Sequence, residues 1–269
     1  MLKPTLKKSI RSYNRIAKSY EKEHGEIYNI YEQNRLRKDL VKAINSISTN
    51  SKIKKAIDFG CGAGNLTKHL SEVGCDVLAC DVSQGFLDLV SSRTYNSKVE
   101  VILINGKDIS NIEDESVDIV ALYSVLHHIP DYLGILKEFT RVLKRGGIIY
   151  IDHESSEEYW IKETYFQIFK DEMNKKCKPE LEKYFVINNY IDWFIRKFIF
   201  KRYRREGDIH VFEDDHIEWG KIIDTLLNEG CSIIAQKEYL LFKRNYNVDV
   251  YNKYKNNLRD MQLIIAQKL

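Results

Sequence analysis

Short apolar runs alternating with stretches of helical period dominate this chain. Five runs precede residue 153: Ala56-Ile57-Asp58-Phe59, Asp76-Val77-Leu78-Ala79-Cys80, Val99-Glu100-Val101-Ile102-Leu103-Ile104, Val117-Asp118-Ile119-Val120-Ala121-Leu122-Tyr123 and Ile148-Ile149-Tyr150-Ile151-Asp152. Each is rich in β-branched residues, and helical periodicity fills the gaps. That is the βαβ signature of a parallel sheet covered by helices on both faces. The pattern breaks after the fifth run. It resumes with a predicted helix from Ile217 to Asn228, stopped by Gly230, and with strands at Cys231–Ala235 and Met261–Ala266.

The first run leads directly into Gly60-Cys61-Gly62-Ala63-Gly64. Glycine at alternate positions lets the backbone turn tightly and approach a ligand where a Cβ would collide. Asp58 stands just before that turn and would repel phosphate, so it suits a ligand carrying a cationic amine. About 17 residues beyond Gly64 comes Asp81, at the carboxyl end of the second run. A carboxylate there typically takes the two ribose hydroxyls of an adenosine.

This series resembles the class I S-adenosylmethionine-dependent methyltransferases, from about residue 10 to the C-terminus. The resemblance implies an α/β fold: a doubly wound, Rossmann-like, mostly parallel seven-stranded sheet whose last strand is antiparallel. It implies S-adenosylmethionine as cofactor and S-adenosylhomocysteine as product. Gly60, Gly62 and Gly64 would then lie under the methionine part and Asp58 would steer its amino group. Asp81 would hold the ribose, Asp108 would bond the adenine amino group, and Tyr123 would lie near the sulfonium. The segment Tyr13-Asn14-Arg15-Ile16-Ala17-Lys18-Ser19-Tyr20 is similar to one that folds over the cofactor in small-molecule members. Tyr13 and Tyr20 are seven apart, two helical turns, so one helix face can carry both rings. An amphipathic helix packed on the core is the plainer alternative.

Four regions follow: a helical lid over 1–50, the cofactor-binding core over 51–153, a helical insertion over 154–213, and the rest of the core over 214–269. The insertion falls at the carboxyl edge of the strands, where open α/β sheets bind their ligands. It is therefore expected to wall the acceptor site. Within it, Ile187, Tyr190, Ile191, Phe194 and Phe198 share a helical stripe, continued by the basic Lys197, Lys201, Arg202, Arg204 and Arg205. Such a helix either packs on the sheet edge or lies in a membrane interface through 187–205, which would suit a lipid-linked acceptor.

Composition narrows the classes. The net charge of +3, from 42 basic and 39 acidic residues, is too small to make nucleic acid the main partner. Five cysteines form no Cys-x-x-Cys pair, so neither a disulfide framework nor a zinc site is indicated. No run approaches the ~18 apolar residues of a spanning helix, and no apolar segment follows Met1-Leu2-Lys3-Pro4. A cytoplasmic enzyme, with membrane association open, is the expectation. Oligomeric state is not legible.

Candidate proton acceptors are His153 and Glu154, at the end of the fifth strand, and His210. Near neutral pH a histidine can take a proton from a hydroxyl. His127 and His128 are expected to frame the pocket. The cluster Asp208, His210, Glu213, Asp214, Asp215 and His216 contains metal-ligand types, but Asp215 with Glu218 reads as a helix-start capping pattern, and no metal is expected. The reading that follows is methyl transfer to an oxygen, rather than a nitrogen, of a small molecule, with sugars and lipid-linked acceptors both open. The alternative is a noncatalytic S-adenosylmethionine-binding module with the insertion as a protein or membrane interface. A nicotinamide enzyme fits poorly, because the turn lacks the longer Gly-x-Gly-x-x-Gly spacing.

Overall fold

The structure is a computed structural model that describes residues 10, 11, 13–17, 19–161, 163–176 and 216–269. Seven strands form one sheet: β1 (Lys55–Phe59), β2 (Asp76–Asp81), β3 (Val99–Leu103), β4 (Val117–Tyr123), β5 (Leu143–Ser155), β6 (Cys231–Tyr239) and β7 (Met261–Lys268). Their order is β3-β2-β1-β4-β5-β7-β6. Strands β1 to β5 pair in parallel, and β7 runs antiparallel between β5 and β6. The order reverses between β1 and β4, so a crevice opens at their carboxyl ends.

The central strands are buried on both faces, and their alternation feeds two cores. Ile57, Phe59, Val120, Leu122, Ile149 and Ile151 face one side. There they meet Leu136 and Phe139 of α5 (Tyr132–Val142) and Ile222 and Leu226 of α8 (Trp219–Asn228). Ala56, Ile119, Ala121, Tyr123, Ile148 and Tyr150 face the other. They meet Leu36 and Leu40 of α2 (Ile30–Asn45) and Leu66 and Leu70 of α3 (Asn65–Glu72). Helix α4 (Gln84–Ser91) follows β2, with Leu87 and Val90 packed near Ala79.

Several elements differ from the sequence expectation. Strand β5 begins at Leu143 and runs to Ser155, because Gly146 takes φ 79° and lets the chain turn without leaving the sheet. The described part of the insertion forms α6 (Glu157–Ile161) and α7 (Glu163–Lys176). Here Phe166, Phe169 and Met173 pack with Leu240, Leu258 and the unexpected helix α9 (Val248–Tyr254), a small third core. Helix α8 starts at Trp219, and its N-cap Glu218 makes no side-chain cap. Glu157 accepts the Trp219 N–H instead, at 3.3 Å. The Tyr13–Tyr20 segment is not one helix: residues 13–16 are helical, a turn intervenes, and α1 (Tyr20–Glu23) starts afresh. The stripe and basic run of 187–205, and Asp208, His210, Glu213, Asp214 and Asp215, lie outside the described residues. No helix among the described residues is long and apolar enough to cross a membrane.

Candidate active site

The glycine turn follows β1. Gly60, Gly62 and Gly64 all have positive φ, at 71°, 49° and 81°. The Gly60 and Cys61 N–H groups donate to the Cys80 carbonyl at 2.8 and 3.0 Å, which ties the turn to β2. A Cβ on Gly60 would lie 2.7 Å from Val125, whereas one on Gly62 would meet nothing within 4 Å. Gly60 is thus needed for packing, and Gly62 borders open space.

Two buried carboxylates flank the turn. Asp58 accepts the Thr67 hydroxyl; burial pushes its pKa up to about 7, against the pull of that bond. Asp81 accepts the N–H groups of Gly62 (2.9 Å) and Ser83 (2.8 Å), and burial lifts it to about 6. A cationic or hydroxyl-bearing ligand arriving here would favour their ionised forms. Asp108 sits at the exposed rim, where Ser110 and Asn105 hydrogen bonds hold its carboxyl below the ordinary value.

The N-terminal segment lies against this turn. The rings of Tyr13 and Tyr20 are 5.9 and 5.3 Å from Phe86, and Ala17 packs with Ala63 of the turn. The broken helix therefore brings both tyrosines to one ring after all. Asn14 accepts from the Ser83 hydroxyl and the Gly85 N–H, at 2.7 and 2.8 Å. Arg93 bridges the Ala63 carbonyl and Glu21. Nothing in the spacing of Asn14 or Arg93 pointed to this fastening.

On the other side of β1 the chemistry changes. Arg35 of α2 donates to Glu32, Asp39 and Asp152, and its guanidinium lies 3.9 Å over the Tyr239 ring. Asp152 also accepts the hydroxyls of Tyr150 (2.6 Å) and Tyr239 (3.0 Å), and Lys237 pairs with Asp39. Burial opposes the charge on Glu32, but Arg35 and His153 hold its carboxyl well below the carboxylate range. Tyr123 donates to Glu32 at 2.7 Å, so its hydroxyl is engaged. The sequence reading missed this network. Its signal was the i, i+3, i+7 series Glu32, Arg35, Asp39 on a face shared with Leu36 and Leu40, which looks like an ordinary amphipathic edge.

His153 has φ 62° beside the register shift in β5 and is only 6 % exposed. Its ring stacks on Tyr123 at 4.4 Å, and its Nδ1 is 3.5 Å from Glu32. Glu154 is placed differently from the proton acceptor expected of it. One oxygen accepts the Val125 and Leu126 N–H groups, each at 2.7 Å, and the other meets His127 Nδ1 at 2.7 Å. Burial works against ionisation, yet these partners keep its carboxyl below the ordinary value. With both oxygens committed, Glu154 anchors the 3-10 turn Leu126–His128.

A family described as a methyltransferase domain matches residues 57–151, the stretch from β1 into β5 that carries the glycine turn, Asp58, Asp81, Asp108 and Tyr123. That stretch is a class I S-adenosylmethionine-dependent methyltransferase domain. The chain is 29 % identical over 143 residues to a ubiquinone biosynthesis O-methyltransferase of Hydrogenovibrio crunogenus, covering 52 % of this chain and 58 % of that one. It is 34 % identical over 144 residues to a demethylmenaquinone methyltransferase of Staphylococcus aureus, covering 52 % and 57 %. The chain thus spans little more than half the length of these relatives. Among solved structures, the magnesium protoporphyrin IX methyltransferase of Synechocystis, with S-adenosylhomocysteine bound, aligns over 91 % of this chain and 86 % of its own. That likeness, at 14 % identity and a TM-score of 0.52, concerns the fold.

Proposed function

We propose that this methyltransferase moves the methyl group of S-adenosylmethionine to a phenolic or similar hydroxyl oxygen of a small molecule. The observation that carries the reading is a pair of imidazoles at the carboxyl edge of β4 and β5, each beside a buried carboxylate: His153 with Glu32, and His127 with Glu154. A neutral amine can attack carbon without first losing a proton, whereas a hydroxyl needs a proton acceptor. The O-methyltransferase name of one relative agrees with that preference.

The residues fit the cofactor. The open space at Gly62 admits a ligand against the backbone, and Asp81, whose carboxylate accepts the Gly62 N–H, would hold the ribose. Asp58, Asp108, Tyr13 and Tyr20 would complete its surroundings. When bound, the cofactor supplies a methyl group on a sulfonium that is its own good leaving group. The protein's part is to hold the acceptor in line, exclude water and take the proton. Tyr13, Tyr20 and Phe86 form the aromatic cover for the second task.

The test is methyl transfer from labelled S-adenosylmethionine to catechol, glucose and ethanolamine, with calorimetry of S-adenosylhomocysteine binding alongside. Label on catechol is the expected result. Label on ethanolamine alone would overturn the oxygen reading. Binding without transfer to any of the three would favour the noncatalytic module.

A further inference from the structure

We propose that His153 is the group that takes the acceptor's proton and that Glu32, locked by Arg35, is the residue that positions it, an inference that rests on the oxygen-acceptor reading. Ser124 and His153 directly follow Tyr123 and Asp152, the last paired residues of β4 and β5, and both have positive φ, at 59° and 62°. A left-handed backbone is unfavourable for a histidine and marks a side chain placed against local preference. The register of β5 on β7 shifts between Ile151 and Glu154, so Asp152 and His153 fall in a bulge. Consecutive strand residues normally point to opposite faces. Here both reach α2: Asp152 accepts from Arg35, and His153 meets Glu32.

The contacts on this ring hold it in place without occupying its nitrogens. It stacks on Tyr123 at 4.4 Å, and its Nδ1 lies 3.5 Å from a Glu32 oxygen that already accepts from Tyr123 and Arg35. Nδ1 therefore completes no hydrogen bond, and no side chain among the described residues bonds Nε2. At 6 % exposed, the ring is shielded from bulk water without being sealed. Arg35 donates to both Glu32 oxygens, so the carboxylate keeps its place beside Nδ1. That charge favours the neutral tautomer with its proton on Nδ1 and its lone pair on Nε2.

In the step, the acceptor's O–H bond breaks with its proton going to His153 Nε2, and its oxygen gains a bond to the methyl carbon. The electron pair of the broken carbon–sulfur bond stays on sulfur. The imidazolium so formed is stabilised by Glu32 and later releases its proton to water. The titratable groups around the ring are Glu32 of α2, with Arg35 bonded to it, and Tyr123 of β4. Glu26, from the segment before α2 and bonded to His24, and Asp260, just before β7, also feel its charge.

The test combines nitrogen-15 NMR of the histidine rings with pH–rate profiles on catechol, in the full chain. The His153 signals should report the Nδ1–H tautomer at mildly alkaline pH. In Glu32→Gln the ring's titration midpoint should fall by about one pH unit or more, since the neighbouring negative charge is gone. The acid limb of kcat should move with it. Glu32→Asp keeps the charge but draws it back, so its midpoint should fall between the other two, and it carries the test if Glu32→Gln does not fold. Simple loss of folded protein would lower the rate at every pH without moving that limb. His153→Asn, whose side chain tolerates a left-handed backbone, should melt within a few degrees of wild type. Its kcat should nevertheless drop by about 10²–10⁴-fold, with S-adenosylhomocysteine affinity within a few-fold. A histidine that only packs on Tyr123 would show the reverse, a lower melting temperature with kcat nearly kept. That result, an Nε2–H tautomer, or an unmoved limb in both Glu32 variants would overturn the assignment even with catechol methylated. Absence of transfer to catechol, with the NMR as expected, would instead bring down the oxygen reading and the proton-acceptor role together.

Discussion

The two flanks of β1 handle buried carboxylates in opposite ways. Toward β2, Asp58 and Asp81 are buried beside backbone N–H groups and one hydroxyl, and burial raises both. Toward β5, Glu32, Asp39 and Asp152 are buried too, but Arg35 touches all three and Lys237 pairs with Asp39. The first flank leaves charge uncompensated, as suits groups that await a ligand. The second sets two protein cations, Arg35 and Lys237, against its three carboxylates and holds Tyr123, Tyr150 and Tyr239 by hydrogen bonds.

Breaking the compensated flank should have the largest effect. Arg35→Met should cost about 3–5 kcal/mol of stability, because it strands the buried Glu32 and Asp152 and leaves Asp39 with Lys237 alone. Denaturant titration measures it; a loss below about 1 kcal/mol would mean that water reaches the network. On the other flank, Asp81→Ala should weaken S-adenosylhomocysteine binding by about 1.5–3 kcal/mol, the range for hydrogen bonds to a charged group. Calorimetry reads this, and unchanged affinity would remove Asp81 from the cofactor site. Gly62→Ala should be milder for the fold, about 1–2 kcal/mol for a side chain at φ 49° with no clash. Its binding loss should exceed its stability loss, since the new methyl fills the open space.

The smallest expected effect sharpens the comparison most. Asp58 and Asp81 have folded pKa values above the ordinary 3.8. Their contribution to stability is fully present below the unfolded value and is lost as pH rises through about 6 to 7. The ligand-free protein should melt a few degrees higher at mildly acidic than at mildly alkaline pH on this account. Asp58→Asn should flatten its share of the slope. Equal slopes in wild type and Asp58→Asn, by scanning calorimetry, would show that Asp58 is ionised in the ligand-free state.

Much of the β1–β2 flank was legible in the sequence because its parts are contiguous. A strand, three glycines and a carboxylate at each strand end occupy fixed places along one βαβ unit, and local sterics fix their meaning. The flank toward β5 was not legible, for the same reason reversed. Glu32 and Asp152 are far apart in the chain and meet only when α2 packs on β5. Glu154 looked like a base because its type and strand-end position allow one. Only the register of β4 against β5 shows its oxygens already taken.

The sequence by itself determined the parallel sheet, the glycine turn and the order of carboxylates along it, since periodicity and backbone sterics act over a few residues. Tertiary structure alone decided that Tyr13 and Tyr20 reach one aromatic ring across a broken helix, and that Arg35 gathers its three acids. It also decided that Glu154 bonds His127 and the backbone of the turn after β4. Such contacts depend on which side chains converge in space, and burial makes their energies large only once the surrounding elements have packed.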